Sequence, residues 1–243
     1  MIDYRELLKD INIDIYADGA DLNDMSNINQ EGYVAGFTTN PTLMERAGVT
    51  DYMKFASDAL DVVKDLPISF EVFTDDLDKM VEQAKILSSL GDNVFVKIPV
   101  MNTKGEMSYR IIKELDEQNI RLNVTAVFTT EQVRGILESM SGNIPHIISV
   151  FAGRVADTGR DPLPIMKESL QLIKAHSKNI KLLWASPREI FNLYQANEMG
   201  CDIITATPSQ LSKLKFKNKD LHEFSRETVL MFYNDATKSG YKI

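Results

Sequence analysis

Cysteine is nearly absent from this chain: Cys201 stands alone among 243 residues, so no intrachain disulfide can form and a reducing compartment is expected. Nowhere does the sequence approach the roughly 18 consecutive apolar residues of a membrane-spanning helix. Its start, Met1-Ile2-Asp3-Tyr4-Arg5-Glu6, carries acidic residues and no apolar stretch, unlike a secretory signal. Positive charge is in deficit, with 27 Lys and Arg against 35 Asp and Glu and a net charge of -8. That balance argues against nucleic acid or a membrane surface as partner. The three histidines, His146, His176 and His222, lack metal-ligand spacing, and no metal motif occurs. There is no Gly-x-Gly-x-x-Gly after a strand, no P-loop, no Gly/Ser- or Pro-rich linker and no low-complexity tract. What remains is the expectation of a cytosolic, soluble globular chain, 44% hydrophobic and 26% charged, able to bury a large core.

Short apolar, β-branched runs recur along it with helical patterns between them. Strands are expected near 13–17, 33–38, 68–73, 94–98, 121–127, 146–151, 180–185 and 202–206. Helix-spaced apolar stripes occupy 75–90, 106–118, 130–140, 164–176 and 187–199, with Gly91, Gly142 and Gly200 where C-caps would stand. Alternation of strand and helix eight times over 1–243 predicts an α/β chain folded as a single (β/α)8 (TIM) barrel. A short extra helix at 3–10 would precede the first strand. A long one at 220–239, carrying Leu221, Phe224, Leu230, Met231 and Tyr233, would follow the last.

One residue breaks the pattern most sharply. Lys97 interrupts the apolar run Val94-Phe95-Val96-Lys97-Ile98-Pro99-Val100. Burying an ammonium costs several kcal/mol unless it is paired or discharged. A desolvated lysine favours the free amine, and a free amine attacks carbonyls to form Schiff bases. The alternative is a lysine at the wet end of its strand, paired to a carboxylate.

Polar residues fall at the ends of the other strands too. Asp18 closes the first, Thr38-Thr39-Asn40-Pro41 the second, and Glu71 interrupts the third. Asn123 and Thr125 share one face of the fifth, as Ser149 and Phe151 do in the sixth, ahead of Gly153-Arg154. The seventh ends in Trp184-Ala185-Ser186, then Pro187-Arg188. Taken singly, Asp18 reads equally as a helix N-cap, Asn40-Pro41 as a turn and Asn123 as an edge-strand residue. Together, seven strands offering polar groups to one end of a cavity describe a site at the carboxyl ends of barrel strands. Imine chemistry suits the set: Lys97 attacks a ketone, Glu71 and a water at Thr125 handle the carbinolamine, and Asp18 takes the hydroxyl proton whose loss drives carbon–carbon cleavage. Asn40 and Asn123 suit polyol hydroxyls, while Arg154, Ser186 and Arg188 suit a phosphate.

These residues resemble those of the transaldolase family, in particular its small-subunit branch, which includes fructose-6-phosphate aldolase. The segments that carry the resemblance are Tyr16-Ala17-Asp18, Thr38-Thr39-Asn40-Pro41-Thr42-Leu43, Glu71-Val72, Val96-Lys97-Ile98-Pro99, Leu122-Asn123-Val124-Thr125, Ser149-Val150-Phe151-Ala152-Gly153-Arg154 and Ala185-Ser186-Pro187-Arg188. The resemblance implies that Lys97 is the Schiff-base lysine, Asp18 the acid/base of cleavage, and Glu71 and Thr125 the partners of the catalytic water. It implies that Asn40 and Asn123 hold a dihydroxyacetone unit and that Ser186, Arg154 and Arg188 hold phosphate. Thr38, Ser149 and Phe151 complete the expected substrate site. The implied reaction is ping-pong transfer of dihydroxyacetone from sedoheptulose 7-phosphate or fructose 6-phosphate to an aldose phosphate, without metal or organic cofactor. The expected partners are phosphorylated sugars and further copies of the chain.

Aldolases of this family that release dihydroxyacetone have glutamine where this chain has Glu71 and tyrosine where it has Phe151, so both positions point to transfer. Cleavage without an acceptor is the nearest alternative, and a non-catalytic sugar-phosphate-binding barrel a more distant one. Gly19 follows Asp18 where the family usually has threonine, and Pro187 stands where phenylalanine is common. Cys201 and Trp184 read as core, His146 as structural at the strand end away from the site, and 213–219 as a solvated surface.

Overall fold

A computed structural model describes residues 3–242. Eight parallel strands, β1 (Asp14–Asp18), β2 (Gly36–Thr38), β3 (Ile68–Glu71), β4 (Val94–Pro99), β5 (Leu122–Val127), β6 (His146–Val150), β7 (Ile180–Trp184) and β8 (Ile203–Ala206), pair in sequence order. The ring closes where β1 pairs with β8, from Asp14 opposite Ile203 to Ala17 opposite Ala206. With helices between successive strands, this is a (β/α)8 barrel.

The boundaries differ from the expected ones for local reasons. β3 stops at Glu71 because Gln83 Oε1 accepts from the N–H groups of both Phe73 and Thr74, which turns the chain outward and leaves Phe73 exposed. The helix expected from 187 begins at Phe191, because Asn192 Oδ1 accepts from the Arg188 and Glu189 N–H groups and holds 186–190 as a turn. Asp76 caps Leu77–Ser88 and Thr129 caps Thr130–Glu138, each accepting a hydrogen bond at the third helical residue. Further helices, among them Leu22–Glu31, Pro41–Arg46 and Ala152–Asp157, lie where the apolar stripe is weaker or shorter, and Tyr52–Val63 buries Phe55, Ala56, Ala59 and Val63 along one face. Gly200 follows its helix in the left-handed conformation (φ 73°), whereas Gly142 lies out in the loop beyond Ser139, and Gly91 has no positive φ and caps nothing.

Two apolar layers build the barrel. The larger packs the outward faces of the strands against the helices and contains Trp184 and Cys201. The smaller fills the interior with Tyr16, Phe95, Ile147, Leu183, Ala185 and Ile203. Gly36 makes room for this plug, since a Cβ there would lie 2.6 Å from the Tyr16 ring. Below it Lys181 and Asp14 form an ion pair of 2.7 Å at the amino-terminal mouth. The open mouth is therefore at the carboxyl ends of the strands.

Outside the barrel, the first helix is Tyr4–Leu7, shorter than expected. The region 213–219 is not wholly solvated: Lys217 donates to the Leu7 carbonyl (2.6 Å) and pairs with Asp10 (3.0 Å), tying the segment after β8 to the one before β1. The last helix, Leu221–Ser239, buries none of its residues. Among the described residues no helix is long and apolar enough to cross a membrane.

Candidate active site

Strand periodicity turns Asp18, Thr38, Glu71, Lys97, Thr125, Ser149 and Thr205 inward at the carboxyl end, where they line one cavity of about 560 Å³. Thr42, Ala126, Phe128, Ser186 and Arg188 continue its rim. Register explains the centre: Glu71 stands opposite Lys97 across β3 and β4, and Lys97 opposite Asn123 across β4 and β5.

Lys97 is 6% exposed. Its Nζ lies 3.0 Å from Glu71 Oε2 and donates to the Thr39 carbonyl at 2.8 Å. Lys97 is thus buried within its strand and not at a wet end, and it is paired to a carboxylate, as the alternative reading expected of its charge. Glu71 is steadied in turn, because Tyr52 Oη donates to its backbone carbonyl at 2.7 Å.

Asp18 accepts from Thr38 Oγ1 at 2.8 Å. Burial pushes its carboxyl above the usual aspartate range; the Lys97 charge and hydrogen bonds from Thr38 and Asn40 oppose that rise without cancelling it. Asp18 is not a helix cap; Asp21 fills that place for Leu22–Glu31. Asn40 does cap Pro41–Arg46, accepting from the Leu43 N–H at 3.0 Å, while also lining the cavity.

Asn123 lies deeper than the sequence suggests. It is fully buried; its Nδ2 donates to Ser69 Oγ (3.0 Å) and its Oδ1 accepts from Ser149 Oγ (2.7 Å). Both ends of the amide are engaged, and the residue braces the cavity floor between β3 and β6. Next to it, the register of β5 against β6 shifts between Val124 and Val127, and Ala126 takes a positive φ of 57°. This bulge turns Val127 outward and aims Phe128 at the cavity.

The cationic rim is built on strained backbone. Ser186 has a φ of 58°, and a Cβ on Gly153 would run into its carbonyl oxygen, so this approach of the β6 and β7 ends requires glycine. Arg188 is held by Asp157, which accepts from Nε at 2.9 Å and from Nη2. Arg154 lies over the Phe151 ring, 5.6 Å from its centroid, and Phe151 packs on Phe128 at 5.8 Å. Arg46 adds a third arginine on the opposite wall. The sequence reading did not single out Arg46, Thr205, Ser69, Asp157 or the Thr39 carbonyl. Thr205 was accessible to the rule that found Lys97, being the polar member of the run Ile203-Ile204-Thr205-Ala206.

The remaining polar candidates lie elsewhere. His146, at the far end of β6, is buried; its Nδ1 accepts from the Leu122 N–H, so its Nε2 carries the proton donated to Asp116 Oδ1 at 2.7 Å. The Cys201 thiol is buried in the outer layer and pushed up to about 12 by desolvation. Among the described residues no group of three His, Cys, Asp or Glu side chains is placed to hold a metal ion.

The family model for transaldolase/fructose-6-phosphate aldolase matches residues 15–242. A probable transaldolase of Thermoplasma volcanium is 33% identical over 226 residues, covering 92% of this chain and 95% of that protein. A probable transaldolase of Mesorhizobium japonicum is 30% identical over 230 residues, covering 94% and 98%. Among solved structures, a monomeric dihydrodipicolinate synthase variant superposes with a TM-score of 0.59 at 15% identity over 90% of this chain and 76% of that one. A 2,3-dimethylmalate lyase does so with 0.53 at 12% identity over 99% and 90%. Those two likenesses speak to the barrel alone. The sequence matches go further: the chain belongs to the transaldolase/fructose-6-phosphate aldolase family.

Proposed function

We propose that this protein is a transaldolase that carries dihydroxyacetone as a Schiff base on Lys97. The observation that carries the reading is the buried Lys97 Nζ in contact with Glu71 at the base of a polar cavity that opens at the carboxyl ends of the strands. An amine must lose its proton before it attacks, and Glu71 Oε2 at 3.0 Å is placed to take it. Nζ then adds to the ketone carbon of a ketose phosphate. Glu71 returns the proton to the carbinolamine hydroxyl, which leaves as water, with Thr125 as the neighbouring hydroxyl of the cavity wall.

The iminium is the electron sink for cleavage. Asp18 takes the proton of the hydroxyl on C4, the C3–C4 bond breaks, and its electron pair enters the iminium to give an enamine on Lys97. The aldose phosphate leaves, and a second aldose phosphate reverses the sequence. Asn40 and the serines and threonines of the cavity suit the polyol, and Arg154, Ser186 and Arg188 suit the phosphate. With Arg188 already oriented by Asp157, less freedom is lost when a phosphate binds. Sedoheptulose 7-phosphate and fructose 6-phosphate are the proposed donors, glyceraldehyde 3-phosphate and erythrose 4-phosphate the acceptors, and the cytoplasm the proposed site of action.

Transfer requires the enamine to outlive the exchange of aldoses. Phe151 and Phe128 form an apolar wall at the cavity with no hydroxyl to hold a water there, which favours transfer over release of free dihydroxyacetone. We further propose a homo-oligomer. The helix Leu221–Ser239 buries none of its residues, and Val229, Leu230, Met231, Phe232 and Tyr233 on it are all exposed. Sedimentation of the full chain and of a chain ending at 219 tests this: a monomeric full chain would refute the oligomer, and the same number of chains in both assemblies would refute this helix as its contact.

The deciding assay is release of glyceraldehyde 3-phosphate from fructose 6-phosphate, with and without erythrose 4-phosphate. Release that depends on the acceptor supports the transaldolase. Release without it makes the protein an aldolase, and binding without turnover makes it a sugar-phosphate binder.

A further inference from the structure

Thr205 occupies a place in the site that its burial alone does not explain. Its Oγ1 lies 2.6 Å from Thr38 Oγ1, which lies 2.8 Å from Asp18 Oδ1. A carboxylate only accepts, so Thr38 commits its single proton to Asp18, and Thr205 must then be the donor to Thr38. The polarity of the chain is fixed: Thr205 to Thr38 to Asp18. It crosses the seam where the barrel closes, with Thr38 opposite Asp18 across β1 and β2 and Thr205 opposite Tyr16 across β1 and β8. Both threonines are at least 95% buried, and both line the cavity.

We propose that Thr205 is a positioning residue for Asp18, its hydroxyl locking the Thr38 proton onto Oδ1 so that Oδ2 receives the proton of the substrate hydroxyl. This inference rests on the reading of Asp18 as the base of carbon–carbon cleavage. Without the Thr205 donor, the Thr38 hydroxyl is free to rotate, and the Asp18 carboxylate loses part of its support where burial already disfavours its charge. The charged groups that face Asp18 are Lys97 and Glu71 across the cavity, and Arg46, Asp21 and Asp24 along the adjoining cleft of about 340 Å³. Arg154 and Arg188 stand at the far rim. Thr205→Val leaves all of these in place.

The test compares Thr205→Val and Thr205→Ser with the wild-type protein. Valine keeps the branched shape and removes the donor; serine keeps the donor. For Thr205→Val, kcat for transfer from fructose 6-phosphate to erythrose 4-phosphate should fall about three- to thirtyfold with KM nearly unchanged. The acid limb of its pH profile should move to higher pH, and Thr205→Ser should restore both. Borohydride trapping of dihydroxyacetone on Lys97 should be equal in all three. Superimposable pH profiles, or equal losses in the serine and valine variants, would overturn the proposal. The Asp18 carboxyl can also be titrated directly by carbon NMR, a readout independent of turnover. There Thr205→Val should raise the midpoint, and an unmoved midpoint overturns the proposal even if the wild type proves inactive. Wild-type inactivity itself would count against the functional reading instead. Should the valine variant not fold, Thr205→Ala serves with the same readouts.

Discussion

The Lys97–Glu71 pair makes a quantitative prediction about stability that is separate from turnover. Its side chains are 8% and 18% exposed, the ions are 3.0 Å apart, and the Thr39 carbonyl supplies Lys97 with one further acceptor. Removing one partner of a fully buried pair costs about 3–5 kcal/mol, because the other charge is left without compensation. Here the residual exposure of Glu71 and the Thr39 contact soften the loss, so Glu71→Gln and Lys97→Met should each destabilise by about 2–4 kcal/mol. In a chain of this size that corresponds to a fall in Tm on the order of 5–15 °C. The double variant leaves no charge at either position and should recover most of the loss, which places the coupling energy at about 2 kcal/mol or more. Urea unfolding of the four proteins at pH 7, followed by circular dichroism, measures the cycle. If the double variant is as unstable as the two single losses added together, the contact between Lys97 and Glu71 is not a coupled ion pair, and the account of how this lysine is held in the barrel is wrong.

Three other outcomes are expected. Phe151→Tyr should raise the release of free dihydroxyacetone from fructose 6-phosphate in the absence of acceptor, measured with a coupled reductase; an unchanged rate removes Phe151 as the discriminator between transfer and release. Burial holds the His146 imidazole below its usual range, and Asp116 is kept low by Ser141 and His146 despite its own desolvation. The unfolded chain therefore binds protons that the native one refuses, so stability should fall as pH drops below about 6.5 and fall further through the acidic range, and His146→Gln should flatten the upper part of that slope in urea midpoints. Cys201, with its thiol pushed up to about 12 and 2% exposed, should resist a disulfide-exchange reagent in the native protein at pH 8 and react fully in denaturant; native labelling would contradict its placement in the outer layer.

Much of the barrel is legible in the sequence because β-strand burial writes apolar runs, and a charged residue inside such a run has few structural excuses. Lys97 and Glu71 were recognisable on that ground, Asp18 and Thr125 as polar groups at strand ends, and the structure gathers all four in one cavity. What stayed hidden depends on partners far apart in sequence. Asn123 looks like a ligand for a polyol, yet Ser69 and Ser149, 54 and 26 residues away, take up both ends of its amide. Arg188 looks like an unencumbered cation, yet Asp157, 31 residues before it, holds two of its nitrogens. The Thr39 carbonyl that accepts a hydrogen bond from Lys97 belongs to the backbone and has no side-chain signature. Helices such as Leu22–Glu31 were not singled out because they bury only two residues, Met25 and Ile28, too few to write a stripe.

The division of the barrel interior explains how one chain sustains both its core and its chemistry. Tyr16, seated on Gly36, fills the lower half with Phe95, Ile147, Leu183 and Ile203, and the polar ring above lines the cavity at the carboxyl ends of the strands. Above that plug polar groups answer one another: Lys97 to Glu71 and Thr39, Asp18 to Thr38, Thr38 to Thr205, Ser149 and Ser69 to Asn123. A polar layer of this kind tolerates little subtraction, since each deletion strands a neighbour in a poorly solvated place. Gly36→Ala tests the foundation instead of the ring. Its methyl group would meet the Tyr16 ring at 2.6–2.8 Å and tilt it toward the polar layer. Overpacking of this sort costs about 1–3 kcal/mol. If the plug sets the geometry above it, the variant should lose kcat while keeping the phosphate contacts at β6 and β7, and hence KM, because those lie across the barrel from β2. A loss confined to stability, with kcat unchanged, would mean that the polar ring holds its own shape.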